Sequence, residues 1–133
     1  MQLTAHQQHV LTTLKQAEVP LSAYALLDLL REQGFTAPTQ VYRALERLAE
    51  HGLVHRLESL NAYVSCSHPG GCRQAFKAFA ICDHCGHVAE FNDNDLGRSL
   101  NRWMKGHAFS LHASTIELHG KCAACHAPGA QRC

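Results

Sequence analysis

Apolar residues recur at helical spacing through the first half of the chain. Val10, Leu11, Leu14 and Ala17 form one stripe, with Thr4 placed to cap the helix and Pro20 to stop it. Ala23, Leu26, Leu27 and Leu30 form a second stripe behind Ser22 as N-cap, and Gly34 closes it. Asp28 and Arg31 fall on its outer side as an i,i+3 pair. After a turn through Gly34-Phe35-Thr36-Ala37-Pro38, a third helix is predicted from about Thr39 to His51, ending at Gly52. Its core face is Val41, Ala44, Leu45 and Leu48.

The period then shortens to two. Leu53 to Glu58 and Asn61 to Cys66 alternate around Ser59-Leu60, which predicts a β-hairpin. A helix, short turn and helix followed at once by a hairpin is a winged helix-turn-helix. At Ser67-His68-Pro69-Gly70-Gly71 the composition changes, so the domain boundary is placed there, dividing the chain into 1–66 and 67–133. In the second part, Ala75 to Ile81 and His87 to Phe91 read as strands flanking a cysteine knuckle. Asn92-Asp93-Asn94-Asp95 caps a helix reaching Lys105, with Leu96, Leu100 and Trp103 inward. Phe109 to His119 reads as a strand whose alternation slips near Ser114, which suggests a bulge.

Composition changes the picture mainly through cysteine. The 133 residues include seven cysteines and eleven histidines. The opening Met1-Gln2-Leu3-Thr4-Ala5-His6 has neither the basic start nor the apolar stretch of a secretory leader. No run approaches the ~18 apolar residues of a membrane span. The expectation is a reducing cytoplasm in which thiolates serve metal rather than disulfides. Net charge is +1, and residues 1–60 carry five Lys/Arg against six Asp/Glu. Any contact with nucleic acid must therefore rest on a few placed residues rather than on a bulk field.

Cys82-Asp-His-Cys85 and Cys122-Ala-Ala-Cys125 are paired at the spacing that puts two sulfurs on one ion. Four thiolates make a closed tetrahedral zinc site with no open position for chemistry, so this metal is structural. A gap of 36 residues between the pairs ties a subdomain together rather than forming a compact finger. A thioredoxin-like redox pair fits less well, because neither pair follows a strand and opens a helix.

On the third helix, Tyr42, Arg43, Glu46 and Arg47 face away from the core stripe. Tyr42 and Arg43 lie near its start, where recognition helices touch base edges. An arginine there can grip guanine O6 and N7, and a tyrosine ring can meet a thymine methyl. The alternative is an ordinary solvated face. The hairpin offers a second constellation: if Ser59-Leu60 is a two-residue turn, His55 pairs with Val64 and becomes a diagonal neighbour of Cys66 on one face. A three-residue loop would put them on opposite faces. His68, Cys72 and Glu90 follow as further donors, and a site joining hairpin and second-domain residues would set the angle between the domains.

Several stretches together resemble the ferric uptake regulator family. They are Ser22-Ala-Tyr-Ala-Leu-Leu-Asp-Leu-Leu-Arg-Glu, Val41-Tyr-Arg-Ala-Leu, His55 through Cys66, Ile81-Cys-Asp-His-Cys-Gly, and Ile116-Glu-Leu-His-Gly-Lys-Cys-Ala-Ala-Cys125. The resemblance covers nearly the whole chain and is strongest to the zinc-responsive branch. It implies an α+β chain: an N-terminal winged helix-turn-helix, then a small α/β dimerisation domain with a four-cysteine zinc knot. It further implies a homodimeric repressor that binds palindromic double-stranded operator DNA and silences zinc-import genes, with no catalytic site, no small-molecule substrate and no membrane partner. Carried over by position, Cys82, Cys85, Cys122 and Cys125 hold structural zinc. His55, Cys66 and Glu90 hold regulatory zinc, with Cys72 as fourth ligand and His68 as its rival. Sulfur donors at the sensing site favour zinc over iron(II).

The chain also departs from the family pattern. The family's Leu-Thr-Pro-Gln-Arg start appears as Leu3-Thr4-Ala5-His6-Gln7, without the arginine. His107, His112 and His119 are readable as a further metal site or, by preference, as exposed strand-end residues, and Cys133 as a spectator. The rivals to a zinc-dependent repressor are a sensor of iron or manganese, and a zinc-buffering or redox thiol protein that does not act on DNA.

Overall fold

A computed structural model describes residues 2–66, 76, 78–112 and 114–126. The chain divides into two compact units, 1–73 and 74–133.

The first unit is built on three helices. Helix α1 runs Ala5–Gln16, and its start is a reciprocal cap. The Gln7 N–H donates to Thr4 Oγ1 (3.2 Å) while the Thr4 N–H donates to Gln7 Oε1 (3.0 Å). Helix α2 runs Ala23–Leu29, with the Ser22 hydroxyl accepting from the Ala25 N–H. A short 3-10 turn, Arg31–Gln33, follows and ends at Gly34, whose φ of 95° is a left-handed conformation suited to glycine. Asp28 and Arg31 pair at 3.3 Å on the exposed side. Helix α3 runs Pro38–Glu50, with Pro38 at its first position, where a missing N–H costs nothing.

Strands β1 (Val54–Leu57) and β2 (Ala62–Ser65) form the hairpin, antiparallel with His55 opposite Val64 and Leu57 opposite Ala62. The strands end one residue short of the expected turn, and the Asn61 N–H reaches the Glu58 carbonyl at 3.4 Å. The sheet gains a third edge where Leu21 and Tyr63 exchange backbone bonds of 3.0 and 2.8 Å. Val10, Leu26, Leu45, Leu48, Val41 and Phe35, each almost wholly buried, centre the core on which all three helices and the hairpin converge.

The second unit is a three-stranded sheet in the order β4-β3-β5. Strand β3 (Ala78–Cys82) pairs antiparallel with β4 (Val88–Phe91) and parallel with β5 (Ile116–Gly120). Between β4 and β5 lies α4 (Asn94–Gly106), capped by Asp93, whose carboxylate accepts from the Asp95 and Leu96 N–H groups. A single turn, α5, spans Ala123–His126, so the second cysteine pair, contrary to expectation, does follow a strand and open a helix, though one of only four residues.

Two further expectations are corrected here. Trp103 is not inward: it is 55% exposed, while Leu96 and Leu100 are half-buried. Its ring stacks on His107 at 4.2 Å and meets Phe109 edge-on at 5.9 Å, so it is shielded by neighbours along the chain. The strand expected over Phe109–His119 begins only at Ile116. Ala108 takes φ 51° and the Phe109 N–H returns to the Met104 carbonyl, so the chain turns back on α4 before it can extend.

Candidate metal centres and nucleic-acid interface

The two cysteine pairs meet because β3 and β5 are parallel neighbours. Cys82 ends β3 opposite Gly120, which ends β5, so the two knuckles leave the sheet at the same end. The Asp83 N–H donates to the Gly120 carbonyl at 2.8 Å, and His119 Nδ1 lies 3.0 Å from Asp83 Oδ1. The first knuckle is a tight turn in which the Gly86 N–H donates to the Cys82 carbonyl and Gly86 takes φ 81°. The second is closed by the His126 N–H on the Cys122 carbonyl, at 2.9 Å.

The sulfurs of Cys82, Cys85, Cys122 and Cys125 consequently lie within 4.8 Å of one another. Those of Cys85 and Cys122 are 3.8 Å apart. Backbone N–H groups of Cys122 and Cys85 aim at the Cys82 sulfur and, against the effect of burial, lower its pKa from 9.0 to about 6. At Cys85 a backbone N–H at His87 pulls the other way from burial and from the Cys82 and Cys122 sulfurs, which together hold its thiol above the ordinary value. Four sulfurs so gathered, one already favouring the thiolate, fit a tetrahedral soft-donor ion such as zinc.

A second donor pair belongs to the hairpin. His55 on β1 is 5% exposed, and Cys66 follows β2 with its N–H donating to the Leu53 carbonyl at 2.8 Å. Because His55 pairs with Val64, Cys66 is its diagonal neighbour, and the ligand atoms of the two lie within 4.8 Å. Glu90 sits on β4 opposite Phe79. His68 and Cys72 lie outside the described residues.

Helix α3 presents Val41, Ala44, Leu45 and Leu48 to the core and Tyr42, Arg43, Glu46 and Arg47 to solvent. Tyr42 is 41% exposed. Arg47 is engaged with Glu50 at 3.1 Å, whereas Arg43 is in no ion pair among the described residues. On the hairpin, Arg56 is held by both Glu58 carboxylate oxygens and by Asn61 Oδ1, each at 2.9 Å. Sequence reasoning did not anticipate that lock on the wing's cation, although Arg56 and Glu58 lie two apart on one strand face and so signal it.

The ferric uptake regulator family model matches residues 1–119. The zinc uptake regulation protein of Escherichia coli (strain K12) is 40% identical over 126 residues, covering 94% of this chain and 73% of that protein. A zinc uptake regulation protein of Mycobacterium tuberculosis is 29% identical over 92% of each chain. Among solved structures, a zinc uptake regulator complexed with zinc and DNA superposes with a TM-score of 0.86 at 40% identity, covering 94% of this chain and 83% of that one. Holo XcZur superposes with a TM-score of 0.84 at 42% identity, covering 94% and 86%.

Proposed function

The chain belongs to the ferric uptake regulator family, and on that premise we propose that it is a zinc-responsive transcriptional repressor. It binds palindromic operator DNA as a homodimer and controls zinc uptake genes. The similarity to zinc uptake regulation proteins and to a regulator complexed with zinc and DNA supports this over the iron and manganese branches. The observation that carries the reading is the donor pair His55 and Cys66 on the hairpin of the helix-turn-helix unit. Metal donors built into a DNA-reading wing make metal supply and DNA binding one equilibrium.

Residues 1–66 form the DNA-binding domain and 67–133 the dimerisation and metal-binding domain. Cys82, Cys85, Cys122 and Cys125 hold a structural zinc, which supplies charge neutralisation and a rigid four-way link when bound. His55, Cys66, Glu90 and Cys72 hold the regulatory zinc, with His68 the rival to Cys72. Sulfur donors beside the histidine nitrogen and the Glu90 carboxylate favour zinc over iron(II).

Tyr42 and Arg43, exposed near the start of α3, address base edges in the major groove. Two copies related by a two-fold axis read the two half-sites. The protein is a cytoplasmic regulator and not an enzyme: the cage of four sulfurs leaves no position for a substrate. No helix among the described residues is long and apolar enough to cross a membrane.

The test is a titration of operator DNA with and without zinc, using wild type and Cys66→Ser. Expected is a zinc-dependent complex that Cys66→Ser abolishes while its circular dichroism stays that of wild type. Zinc-independent operator binding, or an unchanged zinc response in Cys66→Ser, overturns the regulatory role of the hairpin donors. Operator binding restored by iron(II) or manganese(II) but not by zinc would favour a sensor of another metal.

A further inference from the structure

The turn between α2 and α3 is tied to the recognition helix by one side chain. Gln40 Oε1 accepts from the Thr36 N–H at 2.6 Å and from the Ala37 N–H at 3.1 Å, with the Thr36 hydroxyl a third donor at 3.4 Å. Both backbone partners are donors, so the amide must present its oxygen to them. Ala37, at the N-cap of α3, has no side-chain acceptor, so the usual hydroxyl half of a capping box is missing and only the Gln40 half remains. The turn is pinned on its other side by Phe35, 1% exposed in the core, its ring centroid 4.1 Å from that of His6 with the two rings tilted by 31°.

We propose that Gln40 is a positioning residue for operator recognition, whose side-chain carbonyl sets the start of α3 and thereby the pose of Tyr42 and Arg43. This rests on the reading that those two residues address base edges. Gln40 lies two and three positions before them, within one helical turn. A first turn free to fray moves both side chains relative to the groove. Phosphate contacts tolerate such movement, whereas base contacts depend on bidentate geometry and do not. The signature of the role is therefore lost discrimination, not lost binding.

The experiment measures, for the full-length zinc-loaded protein, affinity for operator DNA and for a scrambled duplex of the same length and composition. The ratio of the two is the readout. Gln40→Ala is expected to lower the ratio about tenfold, with affinity for the scrambled duplex changed less than about twofold. Gln40→Glu keeps the acceptor, and its added charge weakens both duplexes alike, so the ratio is expected to return to the wild-type value. Ala37→Ser in the Gln40→Ala background gives the helix a cap of its own without tying the turn, and its ratio is expected to stay low.

An unchanged ratio in Gln40→Ala overturns the inference. So does a low ratio in Gln40→Glu, or a ratio recovered by Ala37→Ser, which would make the role one of helix stability alone. Arg43→Ala separates the underlying reading: if that variant leaves the ratio unchanged, base recognition by α3 fails. If it collapses the ratio while Gln40→Ala does not, only the positioning role fails.

Discussion

Asp83 and His119 bridge the two cysteine knuckles: Oδ1 of one lies 3.0 Å from Nδ1 of the other, across the parallel β3–β5 ladder. The pair is partly exposed, at 60% and 37% for the two side chains. Exposed pairs contribute at most about 1 kcal/mol, so Asp83→Ala should let a chelator strip zinc from the cage up to about fivefold faster. The backbone bond from the Asp83 N–H to the Gly120 carbonyl survives the substitution and keeps the knuckles adjacent. Stopped-flow zinc release with a coloured chelator measures this directly.

Removing a cysteine should do far more. The buried apolar residues of the described second unit are Ala78, Phe79, Ile81 and Cys82, and α4 contributes none. Such a small core needs metal binding energy to fold. Cys122→Ser should therefore unfold 74–133 while the first unit, with its own core, stays protected. Hydrogen exchange resolved by segment, beside zinc counted per chain, checks both halves of the statement.

The first unit should respond to core truncation in the ordinary way. Leu48 is fully buried on α3, and its carbonyl also accepts the Leu53 N–H at 2.9 Å where the chain enters the hairpin. Leu48→Ala should cost about 2–5 kcal/mol, read from urea denaturation of the first unit.

Tyr63 makes the hairpin sensitive to alkali. Burial raises its pKa, Arg56 opposite it acts in the lowering direction, and Tyr42 and Glu58 add to the rise. The folded value lies above the ordinary 10.0, so the unfolded chain loses this proton first as pH rises. Stability from this group is fully present below pH 10.0 and is lost as pH climbs through the folded value. Tyr63→Phe should flatten the alkaline arm of a thermal-midpoint profile and leave the neutral region nearly unchanged.

Much of this was legible in the chain because local signals agreed. The stripe Val41, Ala44, Leu45, Leu48 is the buried face of α3, and Thr4, Ser22 and Gly34 cap or end the helices as their chemistry directs. The closeness of His55 and Cys66 followed from a period of two and the hairpin register. What escaped was set by contacts distant in pattern. Trp103 obeys helical spacing, yet its partners are His107 and Phe109 rather than a core. The turn at Ala108 needs a positive φ that no glycine announced. Gln40 was missed because its capping box lacks the serine or threonine by which that motif is ordinarily found.

The parallel pairing that brings Cys82 level with Gly120 has a consequence for synthesis. The ribosome delivers half the cage with Cys85 and must add 36 more residues before Cys122 arrives. Until then the nascent segment holds two sulfurs and a single closed hairpin. Any product truncated inside that interval lacks the second cysteine pair and cannot complete the four-sulfur cluster. On the proposed reading of a structural zinc, the second unit therefore closes around its ion only once synthesis has passed Cys125.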